Sequence, residues 1–187
     1  MSVLMVYVDD QPQAAGEKSA DFSVIQAKLQ AIGVRFERWT ANCALAADAD
    51  QQSVLAAYRE PVEQLTQKYG FKSVDVVSLQ PDHPDKAVFR QKFLAEHIHR
   101  DFEVRFFVEG KGLFYLHTAG KVYAVLCERG DLISVPAETK HWFDMGEHPC
   151  FKCIRLFTTE QGWQAEFTGS EIAKAFPSFD QYLAALS

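Results

Sequence analysis

Glu96-His97-Ile98-His99-Arg100-Asp101-Phe102-Glu103 is the one stretch of this chain that sets several metal-capable side chains at short spacing. In an extended strand residues i and i+2 face the same side, so His97 and His99 project both imidazoles into one space. Glu103 opens the next strand and shares a face with Arg105, while Phe102, Val104, Phe106 and Val108 alternate with them. A carboxylate and a guanidinium opposite an apolar face suggest a lined pocket. A lone His-x-His is common by chance, and here a second element strengthens it. In Gly130-Asp131-Leu132-Ile133-Ser134-Val135-Pro136-Ala137-Glu138-Thr139-Lys140-His141, a turn glycine, a strand and a proline turn bring a third imidazole onto a later strand. His141 and Phe143 point the same way there.

Around these motifs the chain reads as short strands with Gly-containing turns: Phe106 to Val108 ending at the turn Glu109-Gly110-Lys111-Gly112, then Leu113 to His117, Lys121 to Cys127, Leu132 to Val135 and Cys150 to Phe157. That spacing is the mark of an antiparallel sandwich or barrel. The first eighty residues differ. A strand at Val3 to Val8 leads to a helix over Asp21 to Ile32 stopped by Gly33, and a second extended piece spans Val34 to Trp39. A helical stretch from about Asp48 to Tyr69 is divided at Pro61 and ended by Gly70. Phe71 to Leu79 is β-like, and Lys86 to Phe93 suits one more helix. The tail from Ser170 to Leu186 returns to helical spacing, interrupted by Pro177. The fold class is therefore mainly β with helices (α+β). One domain spans 1–187: an α/β part over about 1–85, a barrel core over about 86–160 and a tail over 161–187.

Composition bounds the function. The chain has 187 residues, 48% of them hydrophobic, with 19 basic and 25 acidic side chains and a net charge of -6. Such a balance disfavours a nucleic-acid partner, which draws on a basic face. No window approaches the roughly 18 apolar residues of a membrane span, and the start of the chain lacks the pattern of a signal peptide. A cytoplasmic location, no membrane partner and a monomer are expected. Cys43, Cys127, Cys150 and Cys153 are irregularly spaced and expected to stay thiols, with Cys150-Phe151-Lys152-Cys153 as ordinary strand residues. His83, His117 and His148 have no partner at ligand spacing and are expected to be spectators.

His97-x-His99-x3-Glu103-x6-Gly110 followed by Gly130-x5-Pro136-x-Glu138-x2-His141 resembles the two signature motifs of the cupin superfamily. The resemblance spans Phe93 to about Trp163 and implies a jelly-roll barrel in which His97, His99, Glu103 and His141 bind one metal ion. Two positions depart from it: many cupins place Gly where Glu138 stands and Asn where Met145 stands. Within the cupins, the strings Phe93 to Arg105, Val135 to Asp144 and Ile154 to Thr158 before Gly162-Trp163 are similar to the acireductone dioxygenases of methionine salvage. Chain length and an α-rich N-terminal part agree.

Three neutral imidazoles and a carboxylate leave a six-coordinate divalent ion two open positions, which implies catalysis rather than a closed structural site. Nitrogen-rich coordination suits one Fe2+ or Ni2+ per chain, and the resemblance implies that both serve. It further implies 1,2-dihydroxy-3-keto-5-methylthiopentene and O2 as substrates. Iron would give 4-methylthio-2-oxobutanoate and formate; nickel would give methylthiopropanoate, formate and carbon monoxide. Arg105 is the natural counterion of a dianionic enediol, and the resemblance gives it the task of generating or holding that dianion. Arg155 is either a second pocket cation or a strand arginine paired to a carboxylate. Phe93, Phe143 and Trp163 are pocket walls or core. The resemblance links Glu96 to metal incorporation and Phe102 to relaying conformational change; the bland alternatives are a solvated charge and a core aromatic. Another metal-dependent cupin dioxygenase or isomerase, or a non-catalytic small-molecule-binding cupin, stands as the alternative function.

Overall fold

The computed structural model describes residues 1–14 and 16–186. Two antiparallel sheets share one long strand. In chain order the elements are β1 (Val3–Val8), β2 (Glu17–Ser19), α1 (Phe22–Gln30), β3 (Arg35–Arg38), α2 (Gln51–Ala57), α3 (Arg59–Tyr69), β4 (Ser73–Leu79), α4 (Lys86–Leu94), β5 (His97–Ile98), β6 (Glu103–Thr118), β7 (Lys121–Glu128), β8 (Asp131–Val135), β9 (Lys140–Asp144), β10 (Phe151–Phe157), β11 (Glu166–Phe167), a 3-10 turn (Ile172–Ala175) and α5 (Phe179–Ala184). One sheet runs β11-β5-β9-β6-β7-β1-β2, the other β4-β10-β6-β8-β3.

The turn expected at Glu109 to Gly112 is not a turn. β6 continues through it for 16 residues, pairing β8 and β10 with its first half and β7 and β9 with its second. Glycine makes this corner possible. Gly110 has φ +69°, and a Cβ there would sit 1.9 Å from the Cys150 carbonyl oxygen; one on Gly112 would sit 2.2 Å from the Phe143 ring. Two strands thus cross at van der Waals distance, and β6 passes from one sheet to the other.

Three apolar clusters follow from the alternation along the strands. Phe107, Phe114, Leu116, Ile133, Val135, Phe143 and Phe151 fill the space between the sheets, with Ile25 and Leu29 of α1 joining them. The outer face of the first sheet, with Tyr115 and Trp142, is covered by Phe176, Phe179 and Tyr182 of the tail. The outer face of the second, with Val104, Phe106 and Leu156, is covered by Val54 of α2, Leu65 of α3 and Tyr58 between them. Three helices, α1, α2 and α5, start on side-chain caps: Asp21 accepts from Ser23 and Val24 N–H, Asp50 from Ser53 N–H, and Ser178 forms a capping box with Gln181. The break between α2 and α3 falls at Tyr58, not Pro61. The proline sits in the first turn of α3, where its missing N–H has no partner to lose. The helical tail is shorter than its periodicity suggests, because Pro177 separates the 3-10 turn from α5.

Candidate metal centre

Backbone register brings the imidazoles together. β5 lies between β9 and β11, pairing His97 with His141 on one side and with Phe167 on the other. β6 places Leu116 opposite His141 and Glu103 opposite Val135. The loop between β5 and β6 carries His99 and is pinned by Asp101, a buried carboxylate that accepts from Phe102 N–H (2.7 Å), Thr159 N–H (2.7 Å), Thr159 Oγ1 (3.1 Å) and Thr158 Oγ1. Burial alone would push the Asp101 carboxyl up; these donors outweigh it and hold it below its usual value.

Each imidazole is oriented by a backbone carbonyl. His97 Nδ1 lies 2.7 Å from Ala95 O, His99 Nδ1 2.8 Å from Gln164 O, and His141 Nδ1 2.7 Å from Thr139 O. A carbonyl only accepts, so the ring proton sits on Nδ1 and each Nε2 carries a bare lone pair. Ligand atoms of the three rings lie within 4.8 Å of one another, and all three residues are buried. Burial, then the neighbouring His141, pulls the pKa of His97 down to about 3; burial also lowers that of His99. Glu103 Oε2 joins them 3.3 Å from His141 Nε2 and 3.9 Å from His99 Nε2. Although burial raises the Glu103 carboxyl, the Arg105 guanidinium beside it holds it well below the usual carboxylate range.

This donor set fits a divalent metal ion. Among the described residues Glu103 Oε2 and His141 Nε2 are buried without a hydrogen-bond partner, a costly arrangement for two facing acceptors unless a cation lies between them. A bound ion would be held by these four side chains, with Glu103 Oε2 already 3.3 Å from His141 Nε2 and 3.9 Å from His99 Nε2. Arg105 donates from Nε to Glu103 Oε1 at 2.8 Å, its guanidinium lies 4.8 Å from the ring centroids of Phe114 and Phe143, and its buried Nη1 has no partner.

Above this floor a cavity of about 710 Å³ opens to solvent, with His97, His99 and Arg105 at its base and Val76, Leu79, Phe93 and Trp163 among its walls. The model of the ARD/ARD' family matches residues 4–165. The chain belongs to that family. Acireductone dioxygenase from Methylococcus capsulatus is 57% identical over 98% of both chains, and that from Aquifex aeolicus 52% identical over 97% of this chain and 98% of its own. A solved acireductone dioxygenase from Bacillus anthracis, with a cadmium ion in its active centre, superimposes with a TM-score of 0.76 at 28% identity, covering 89% of this chain and 98% of that one. The ARD architecture, a mainly β cupin sheet fold with a few helices, is thus shared, and this member of the family is an enzyme, a metal-dependent dioxygenase.

The other candidate residues fall at different depths around the ARD site. Phe93 lines the cavity and packs edge-on to Phe143. Phe143 itself stands one layer back, fully buried behind Arg105, so it backs the wall instead of forming it. Trp163 lies at the rim, 52% exposed. Arg155 borders the cavity, but Asp75 opposite it on β4 grips it through two bonds of 2.8 and 2.6 Å, so its charge is matched. Glu96 is not a solvated charge. It is buried, receives Thr168 Oγ1 at 2.7 Å and lies 2.7 Å from His117 Nδ1. Nor is Phe102 a core aromatic, being 46% exposed.

His117 bridges Glu96 and Asp9 through its two ring nitrogens. His83 borders the cavity, while His148 is exposed. Cys153 is buried, with its thiol pushed up to about 12, and Cys150 is exposed before β10; both are free thiols. Asp101, Asp75 and Lys92 are site residues that sequence reading missed. Of these only Asp101 carried a signal, as an acid between two ligands.

Proposed function

We propose that one Fe2+ or Ni2+, held by His97, His99, Glu103 and His141, serves a reaction in which 1,2-dihydroxy-3-keto-5-methylthiopentene is cleaved by O2. The observation that carries the reading is the convergence of three Nε2 lone pairs and a carboxylate oxygen, two of these atoms being buried acceptors without partners. When bound, the ion supplies Lewis acidity and open positions for two oxygen donors.

The chain's own residues supply the rest. Arg105 is fixed by Glu103 Oε1 and by aromatic faces, which leaves Nη1 to donate to an enediolate oxygen and favour its deprotonated form. Phe93 excludes water above the guanidinium, strengthening that hydrogen bond in a low dielectric. Val76, Leu79 and Trp163 offer an apolar berth for the methylthio tail. Glu96 and Phe102 flank ligands His97 and Glu103, the first as a buried support for β5 and the second as an exposed edge that can report movement of the β5–β6 loop.

On this reading residues of about 1–85 and 161–187 are coats of one domain whose barrel core is about 86–160. The protein works in the cytoplasm as a monomer with a small molecule and O2. Among the described residues no helix is long and apolar enough to cross a membrane. The test is to load metal-free protein separately with Fe2+ and Ni2+. Iron is expected to give 4-methylthio-2-oxobutanoate and formate, nickel methylthiopropanoate, formate and carbon monoxide; identical products from both would refute metal-controlled cleavage.

A further inference from the structure

Charge is nearly matched at the base of the cavity. Glu103 pairs with Arg105 and Asp75 with Arg155, and a divalent ion would be met by a dianionic enediol. One cation on the cavity wall is left over. Lys92 lies in the last turn of α4 and borders the cavity, and among the described residues it has no ion pair or hydrogen bond. Its direction is fixed by its helix face, because Phe89, Lys92 and Phe93 stand at i, i+3 and i+4 and all border the same cavity. The Phe89 and Phe93 rings are stacked with centroids 6.4 Å apart. On its other side α4 is anchored by Arg90, which bonds Asp144 at 2.8 and 3.1 Å, so Lys92 is presented by a fixed element.

We propose that Lys92 is the anion-capturing group at the cavity mouth, drawing the enediolate substrate toward Arg105 past the field of a chain with net charge -6. The inference rests on the acireductone reading of the site. Because the pairs at the base are already matched, Lys92 acts on capture and leaves the chemical step alone. A rim charge of this kind changes association rate and salt dependence.

The experiment uses the full-length, metal-loaded enzyme and the variants Lys92→Gln, Lys92→Glu and Lys92→Arg. At low salt Lys92→Gln is expected to lower kcat/KM about three- to tenfold with kcat unchanged. Lys92→Glu should lower it further, and Lys92→Arg should keep the unaltered value. At about 0.5 M salt, where the Debye length is only a few ångströms, Lys92→Gln and the unaltered enzyme should converge. A second readout needs no turnover. Titration with 4-(methylthio)butanoate, an unreactive carboxylate, is followed by the fluorescence of Trp163 in the same cavity, with Trp163→Phe identifying the signal. Weaker, salt-insensitive binding by Lys92→Gln supports the proposal. Equal kcat/KM for Lys92→Gln at all salt concentrations, or a fall in kcat at constant KM, would overturn it. No turnover by the unaltered enzyme would instead overturn the acireductone reading, and the titration would then decide the part of Lys92 by itself.

Discussion

Glu103 Oε2 and His141 Nε2 face each other across 3.3 Å, buried and without a proton to share. The His141 ring proton is committed to Thr139 O, and the Glu103 carboxyl is held ionised, so two lone pairs repel. An ion between them turns that repulsion into coordination.

Glu103→Gln should therefore change both stability and metal binding. Its amide can donate to His141 Nε2 but leaves the buried Arg105 guanidinium facing a neutral group, so the metal-free variant is expected to be less stable than metal-free unaltered protein, by about 1–3 kcal/mol. Its response to metal should be small. The unaltered protein gains RT ln(1 + [metal]/Kd), about 4 kcal/mol at a thousandfold excess over Kd. Thermal melts with chelator and with added Ni2+ measure both quantities; equal metal-induced shifts in the two proteins would remove Glu103 from the ligand set.

Metal-free protein should also lose stability on mild acidification. His97 and His99 have folded-state pKa values below the ordinary 6.5, and that of His97 falls to about 3, so between those limits the unfolded chain binds more protons than the folded one. Stability then rises with pH across this window and falls as pH drops below 6.5, with a slope approaching about 1.4 kcal/mol per pH unit for each such histidine. Urea midpoints in chelator at pH 7 and pH 5 test the sign, and His97→Leu should flatten the curve. A midpoint independent of pH over that interval would contradict the buried neutral imidazoles.

Local backbone chemistry at Glu138 gives a stability prediction. Glu138 has φ +63° and donates its N–H to His99 O at 2.8 Å, so the turn before His141 keeps a left-handed residue although the side chain is not glycine. Glu138→Gly removes that strain, against a smaller loss to unfolded-state entropy, and should stabilise the protein by about 0.5–1 kcal/mol without altering metal content. A destabilised variant in chemical denaturation would show that the exposed Glu138 side chain makes a contribution of its own.

Much of the site was legible because metal chemistry constrains spacing. His97 on β5 and His99 in the loop after it stand two residues apart, Glu103 and Arg105 follow at the same spacing on β6, and the Pro136 turn delivers His141; all five side chains meet. What stayed hidden depends on partners distant in sequence. Nothing local to Arg155 says that Asp75 lies opposite it, and nothing local to His99 points to the carbonyl of Gln164. Glycines misled at residues 109–112 because a sharp strand corner and a turn ask for the same residue; only the approach of Cys150 and Phe143 tells them apart. The pairing of His117 with Glu96 likewise spans 21 residues, so neither residue's neighbours announce it.

Asp144 joins α4, which borders the cavity, to two elements that stand behind it. Its Oδ1 accepts from Arg90 Nε and Gly146 N–H, its Oδ2 from Arg90 Nη2 and Phe179 N–H, and it is wholly buried. It thus ties α4, which carries Phe93 and Lys92, to β9, which carries His141, and to α5. The two partners should not be equivalent. Asp144→Ala leaves the largely buried Arg90 guanidinium only the more distant Glu147 and Asp180 and strands two backbone N–H groups, and is expected to cost about 3–5 kcal/mol. Arg90→Ala leaves the Asp144 carboxylate with both backbone donors, so about 1–3 kcal/mol is expected, with the looser α4 showing as a raised KM while metal content stays the same. Denaturation midpoints combined with steady-state kinetics separate the two. Equal destabilisation by both variants would mean that the bond between Arg90 and Asp144 is the whole interaction, and that the backbone N–H groups of Gly146 and Phe179 do not depend on the carboxylate.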